Sequence, residues 1–339
     1  MDLRMSNVDG ENMFRDAKVV VTGGTGLVGR PLVELLLERD AHVVIASLDD
    51  PSLAHPAAEF RRVNLLYLEQ CLELCRGADY VFHVAGIKGS PAMTQSKPAS
   101  FFVPTILMNT NIMEAARRSE VRWCLYTSTV GVYGPAEIFR EDDVWKTFPS
   151  EHDRFAGWAK RMGELQAEAY RIEHGWDRIS IVRPANIYGP NDNFDPNNAM
   201  AIPSLIRRAL EGENPLVVWG DGSAVRDFIH ATDVARGMLL AVERQVRQPI
   251  NLGSGQGVSI RQLVDVIVRC VDPPPRVEWD RTKPAGDRMR LMDISRARSM
   301  GFEPAVSLED GIRQTVAWYR AHRGARDARF NVFATGAPV

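Results

Sequence analysis

The chain lacks a cysteine framework. Its four cysteines in 339 residues, Cys71, Cys75, Cys124 and Cys270, form no CxxC pair and are too sparse for a disulfide scaffold. Cys71 and Cys75 lie one helical turn apart in an apolar stretch, the setting of buried thiols rather than of metal ligands. The seven histidines are equally dispersed, so no metal site is expected. No run approaches the roughly 18 apolar residues that a membrane span needs. The polar start MDLRMSNVDGENMF has no apolar core of a secretory signal. An excess of one charge is missing too. Lys and Arg total 41 against 43 Asp and Glu, a net charge of −2, which argues against a nucleic-acid coat or a polybasic membrane binder and leaves room for a local anion pocket. The expectation is a cytoplasmic, metal-free chain. Its 45% hydrophobic and 25% charged residues have the balance of a globular protein, which excludes disorder as the main character. At about 2.3 times a 150-residue domain, the length allows one large unit or two.

What is present is a sequence of short apolar strands alternating with helical patterns. KVVVT (Lys18–Thr22), HVVIA (His42–Ala46), DYVFH (Asp79–His83), WCLYT (Trp123–Thr127) and ISIVR (Ile179–Arg183) are continuous rather than alternating, as strands buried on both faces are. From Leu27 to Arg39 the positions Val28, Leu32, Leu35 and Leu36 share a helical face, and Pro31 sits in the first turn, where its missing N–H is harmless. This order predicts an α/β fold, a Rossmann-type doubly wound parallel sheet with ligands at the carboxyl ends of the strands. After Pro190 the turn-rich run NDNFDPNNAM changes the character. The organisation expected is a dinucleotide-binding domain over 15–190, with 226–255 returning to it. A smaller α/β substrate-binding region spans 191–225 and 256–323, broken by the hinge-like Pro273–Pro275, and a loose tail covers 324–339.

The first strand runs directly into Thr22-Gly23-Gly24-Thr25-Gly26-Leu27-Val28-Gly29 and then into the first helix. Gly23 permits the sharp turn, Gly26 lets the backbone approach a pyrophosphate, and Gly29 lets helix pack closely on strand. The helix dipole and its free N–H groups then face the anion. A lone glycine turn needing only positive φ is the competing reading, but here strand, spacing and helix agree on dinucleotide binding. At the end of the second strand stands Ser47, where an acid would hold the ribose hydroxyls, followed by Asp49 and Asp50. Two carboxylates repel a 2′-phosphate, which points to NAD. Arg61 and Arg62 keep NADP open, unless they are only a solvated charge pair.

Five motifs, TGGTGLVG, HVAG (His83–Gly86), STVGVYG (Ser128–Gly134), RPANIYGP (Arg183–Pro190) and VRDFIH (Val225–His230), carry a wider likeness. Across about residues 17–322 the chain resembles the extended short-chain dehydrogenase/reductases, the NAD-dependent epimerase/dehydratase family of nucleotide-sugar enzymes. The run YGPNDNFDPNNAMAIPSLIRRALEG, with VVWGDG after it, is most similar to the GDP-L-fucose synthase branch, which acts on a 4-keto-6-deoxy sugar. The resemblance implies a Ser or Thr, a Tyr and a Lys as the reacting set. Thr129 takes the hydroxyl place and Lys160 the lysine place, where it binds the nicotinamide ribose and lowers the tyrosine pKa. Standing alone, Lys160 would read as a solvated helix lysine. The tyrosine is absent: four residues before Lys160, on the same helix face, stands Ala156. Phe155 is one position out of register, and Trp158 supplies no acid. Loss of a general acid–base group costs about 10²–10⁴ in rate, so the residues imply an impaired enzyme or a different proton donor.

Neighbouring positions narrow the reaction the resemblance implies. Val130 and Gly131 replace the Asp-Glu of the family's dehydratases. Gly131 and Met200 stand where fucose synthases use a Cys and a His, so double epimerisation is disfavoured. A 4-epimerisation or a 4-keto reduction, with hydride transfer at C4, survives. The likeness places further cofactor contacts at Asn64, Leu65, Ala85, Pro184 and Asn186. Contacts to a nucleotide-diphosphate sugar fall to Thr129, Asn186, Arg208, Trp219, Arg226 and Arg290. Guanidinium groups suit a diphosphate. A surface cation is the rival for each arginine, as a core indole is for Trp219. A homodimer paired through helices is the family expectation. The alternative function class is a non-catalytic dinucleotide-binding or nucleotide-sugar-binding protein, although such a binder has no need of a lysine beside nicotinamide.

Overall fold

The computed structural model describes residues 12–87, 89–283, 286–324 and 329–335. Most of the polar lead-in and parts of the tail lie outside them. Seven parallel strands form the central sheet: β1 (Lys18–Thr22), β2 (His42–Ser47), β3 (Glu59–Arg62), β4 (Tyr80–His83), β5 (Trp123–Thr127), β6 (Ile179–Pro184) and β7 (Ile250–Leu252). Their order is β7-β6-β5-β4-β1-β2-β3. The chain moves outward in one direction from β1 to β3, then returns to the other side of β1. That reversal opens a crevice at the carboxyl ends of β1 and β4. The doubly wound parallel sheet expected from the strand pattern is therefore the architecture found.

Helices cover both faces. Those that shape the site are α1 (Gly29–Leu37), α2 (Leu68–Cys75), α3 (Pro98–Arg118), α4 (Arg154–His174) and α5 (Ala231–Glu243). One core layer joins α1 and α5 to the sheet through Val19, Val21, Leu32, Leu36, Ile45, Val234 and Met238. The other buries Val20, Val81, Cys71, Cys75, Ile112 and Cys124. Strands flanked by helices on both sides have no polar face to alternate with, which is why their apolar runs are unbroken. Burial pushes the thiols of Cys71 and Cys75 up to about 12. A third core gathers Ile206, Val218, Leu263, Ile267, Ile312 and Val316 from segments after Pro190.

Four short strands form a second sheet, in the order Val258–Ser259, Val225–Arg226, Met289–Met292, Ile138–Phe139. Asp227, buried, joins it to the main body. Its carboxylate accepts from the backbone of Ser254 at 2.8 Å and of Gly255 at 3.1 Å, and from the Ser254 hydroxyl at 2.6 Å. The tail departs from expectation. Residues 329–335 carry no helical or strand period, yet Val332 and Phe333 are buried, packed with Phe101. Two bulky side chains close together find an apolar wall on α3, and that contact is invisible to periodicity.

Candidate functional site

A cleft of about 910 Å³ lies at the carboxyl ends of the strands. The glycine turn forms its floor. Gly23 has φ +69°, and a Cβ there would lie 2.8 Å from the Ala85 Cα. A Cβ on Gly29 would lie 2.1 Å from the Gly23 carbonyl oxygen, so only glycine lets α1 begin this close to β1. No side chain caps the helix at Val28; in its first turn the Arg30 N–H bonds the Gly26 carbonyl at 3.0 Å and Pro31 has no N–H, so the Gly29 N–H and the positive end of the helix dipole are what the turn offers an anion. Beside the turn the Thr25 hydroxyl donates to the Asp49 carboxylate at 2.5 Å and lies 3.1 Å from the Ser47 hydroxyl. Arg61 is held by Glu59 at 2.6 Å, and Arg62 donates to the Leu48 carbonyl at 3.0 Å. The Asp49 carboxylate lines the cleft and repels a 2′-phosphate, and neither Arg61 nor Arg62 lines it, which favours a cofactor without that phosphate.

The other end of the cleft is built on α4. Ala156, Lys160 and Glu164 follow at intervals of four and share one helix face. Glu164 anchors the helix to the sheet: its carboxylate takes the Arg183 guanidinium in a two-pronged buried pair at 2.7 and 3.0 Å, and the Ser128 hydroxyl at 2.6 Å. Arg183 also donates to the Tyr133 hydroxyl at 3.1 Å, which donates to Asn251 at 2.6 Å. Burial holds the Tyr133 phenol up at about 12, and this tyrosine of STVGVYG, buried outside the cleft lining with its hydroxyl bonded to Arg183 and Asn251, ties strands together. One turn before Glu164, the Lys160 ammonium donates to the Thr127 carbonyl at 2.8 Å and to Asn109 Oδ1 at 3.4 Å. It stands 5.1 Å from the centre of the Tyr126 ring. Burial pushes the Lys160 pKa down to about 8, against the pull of Glu164.

Asn109 and His83, not singled out in the sequence as site residues, support the lysine. Asn109 Oδ1 accepts from His83 Nε2 at 2.8 Å, and His83 Nδ1 accepts from the Thr22 hydroxyl at 2.8 Å. With Nε2 donating and Nδ1 accepting, the ring is the neutral tautomer. Burial and the Lys160 charge agree with this, pushing its pKa down to about 3. A polar Asn within the apolar run ILMNTN was the available signal for Asn109.

The cleft brings together most residues expected to hold cofactor: Gly23, Thr25, Gly26, Leu27, Val28, Gly29, Ser47, Asn64, Leu65, Ala85, Lys160 and Asn186 all line it. Pro184 is buried at the end of β6, just outside the lining. Thr129, Ala156 and Arg290 line the cleft as well. The other substrate-side residues stand elsewhere. Arg208 is engaged by Glu213, with Nε donating at 2.7 Å. Trp219 is 61% exposed, with the Lys283 ammonium 5.8 Å from its ring centre. Arg226 donates to the Asp287 carbonyl at 2.7 Å, beside Arg290 in the register of the second sheet.

Arg290 pairs at 2.7 Å with Asp153, a lining residue that sequence reasoning missed because EHDR reads as an exposed polar turn. Asp153 stands where a side chain at 131 would project: a Cβ on Gly131 would lie 3.2 Å from the Asp153 Cβ. Among the described residues no three His, Cys, Asp or Glu side chains converge on a metal-sized site, and no helix is long and apolar enough to cross a membrane.

The comparisons agree with this geometry. Residues 19–253 match the model of the NAD dependent epimerase/dehydratase family. GDP-L-fucose synthase 1 of Arabidopsis thaliana is 34% identical over 317 residues, 90% of this chain and 94% of that protein. A dTDP-4-dehydro-6-deoxy-D-allose reductase of a Streptomyces species is 30% identical over 318 residues, 90% of this chain and 97% of the relative. The UDP-glucose 4-epimerase of Thermus thermophilus, solved in complex with NAD, superposes with a TM-score of 0.77 at 26% identity, covering 91% of this chain and all of that one. Turn, acid and cleft fit NAD as the cofactor, and the chain belongs to the NAD-dependent epimerase/dehydratase family of extended short-chain dehydrogenase/reductase enzymes.

Proposed function

We propose that the chain acts on a nucleotide-diphosphate sugar as a 4-epimerase or a 4-keto-sugar reductase, with its proton step impaired by Ala156. The observation that carries this reading is the α4 face. Lys160 and Ala156, one turn apart, line the same cleft as Thr129. NAD, when bound, supplies the hydride acceptor or donor. Lys160 holds the nicotinamide ribose, and Thr129 holds the sugar oxygen at the reacting carbon. No phenol stands at 156 to exchange a proton with that oxygen. Gly131 and Met200 offer no proton-moving group of their own, which keeps the chemistry at C4. Arg290 and its neighbour Arg226 are the cations we assign to the diphosphate, and Asn186 a contact to sugar hydroxyls. Arg208 and Trp219 are assigned to the outer, nucleotide end.

Two further parts of the reading concern the whole protein. It works in the cytoplasm, and it pairs as a homodimer through α3 and α4. In support, Val103 and Leu107 on α3 and Leu165 and Ile172 on α4 are exposed apolar side chains on two helices packed against each other.

The deciding experiment is Ala156→Tyr, assayed with UDP-, GDP- and dTDP-sugars and their 4-keto forms. Turnover is expected to rise by about 10²–10⁴. Ala156 packs against Phe101, Val332 and Phe333, so the ring has to enter an apolar cluster. Ala156→Tyr combined with Phe333→Ala provides the room. A wild-type chain that is already fast, with no gain from the tyrosine, would assign the proton to another group. Inertness of both variants with every sugar would favour a binding protein.

A further inference from the structure

The C-terminal segment touches three sides of the cleft. The Phe330 N–H donates to Asp49 Oδ1 at 2.7 Å, so one carboxylate joins the strap to Thr25 of the glycine turn. The Arg329 guanidinium donates to the Asp192 carbonyl at 3.1 Å, in the loop that follows strand Asn186–Tyr188. At the far end, Lys97 donates to the Phe333 carbonyl at 3.2 Å, just before α3 begins. Between these anchors Val332 and Phe333 are buried against Phe101, with Ala156 and Phe155 alongside. Such a course crosses from the ribose end of the cleft to the helix that carries Lys160.

The segment walls the cleft without filling it. Residues 329–333 and the glycine turn line one continuous space of about 910 Å³, at the upper end of the range for ligand sites, about 300–1,000 Å³. A plug competing with a dinucleotide would have taken that space.

We propose that residues 329–335 are a strap that closes over the bound dinucleotide, so that cofactor leaves only when the strap detaches from Asp49 and from the Phe101 cluster. This rests on the reading of the cleft as the NAD site. It also deepens the functional reading. A cofactor retained through successive turnovers suits a redox-neutral 4-epimerisation, in which hydride leaves a sugar carbon and returns to the same carbon. A net reduction consumes one reduced cofactor per turnover and requires its exchange each time.

The test compares the full chain with a chain ending at Gly324 and with the Val332→Ala/Phe333→Ala variant, which keeps every backbone anchor. NADH is loaded and then displaced by excess NAD while its fluorescence is followed by stopped flow. Release is expected to be faster by about ten-fold or more in both variants, the effect of lost contacts appearing in the dissociation rate. Amides of 329–335 should gain protection from hydrogen exchange when NADH binds. Purified without added cofactor, the full chain should carry more NAD(H) per chain than either variant. If truncation prevents folding, the double variant decides alone. Unchanged release rates, or tighter NADH binding without the strap, would overturn the proposal while leaving the dinucleotide site intact. Failure of the full chain to bind NADH at all would take down the reading of the cleft, and the strap with it.

Discussion

Single residues here act through what surrounds them. Lys160 alone, in a helix of mixed polarity, is an ordinary solvent lysine. Set beneath Thr127 and Asn109 it becomes a half-buried cation whose pKa falls to about 8. His83 is the clearest case. Its ring lies fully buried between Thr22 and Asn109, with its pKa down at about 3, so the folded chain excludes a proton that the unfolded chain takes up near 6.5. A depressed folded value means stability that is present above 6.5 and lost as pH falls toward 3. That loss from His83 alone approaches about 1.4 kcal/mol per pH unit inside the window. Urea unfolding of the wild type and of His83→Gln between pH 4 and 7 checks this. The difference between them should narrow as pH falls, and a constant difference would show that His83 titrates normally. The position of Lys160 could be read from its distance to Ala156 and from the family motif. The quality of its setting could not, because Asn109 comes from α3 and Thr127 from β5.

At the scale of elements, α4 is held in register by one buried ion pair. Glu164 and Arg183 bind each other with two hydrogen bonds, and both are almost fully buried. A guanidinium left without its carboxylate in that place costs far more than the pair itself contributes. Glu164→Gln is therefore expected to lower stability by about 3–5 kcal/mol, read as a lower urea midpoint at unchanged slope. A loss under about 1 kcal/mol, the scale of a surface pair, would mean that the site is wet. The same pair fixes Lys160, one turn earlier on the same helix, so Glu164→Gln should also weaken NADH binding. Ser128, Tyr133 and Arg183 belong to the motifs that carry the family likeness. Their side chains join this latch and, unlike Lys160, leave the reacting groups to other positions.

At the scale of the molecule, the exposed apolar positions on α3 and α4 make a testable surface. Leu107→Glu with Leu165→Glu is expected to convert a dimer into a monomer by light scattering coupled to size exclusion, since burying two like charges per copy opposes pairing. A wild-type monomer, or a variant of unchanged mass, would remove these helices from the interface. The sequence by itself determined the sheet and the cofactor turn. Continuous apolar strands separated by helical periods allow few architectures, and Gly23 and Gly29 answer to local backbone geometry, which short-range pattern records. It also placed Ala156 four residues before Lys160, on the same helix face. Only the tertiary structure decided what fills the space around that alanine. It brought Asp153 up to Gly131, left Arg208 and Arg226 bound to a neighbouring carboxylate and carbonyl, and drew residues 329–335 across the cleft. Those contacts join segments as far apart as Asp49 and Phe330, where no period links the partners and only the packing of the whole chain brings them within a hydrogen bond.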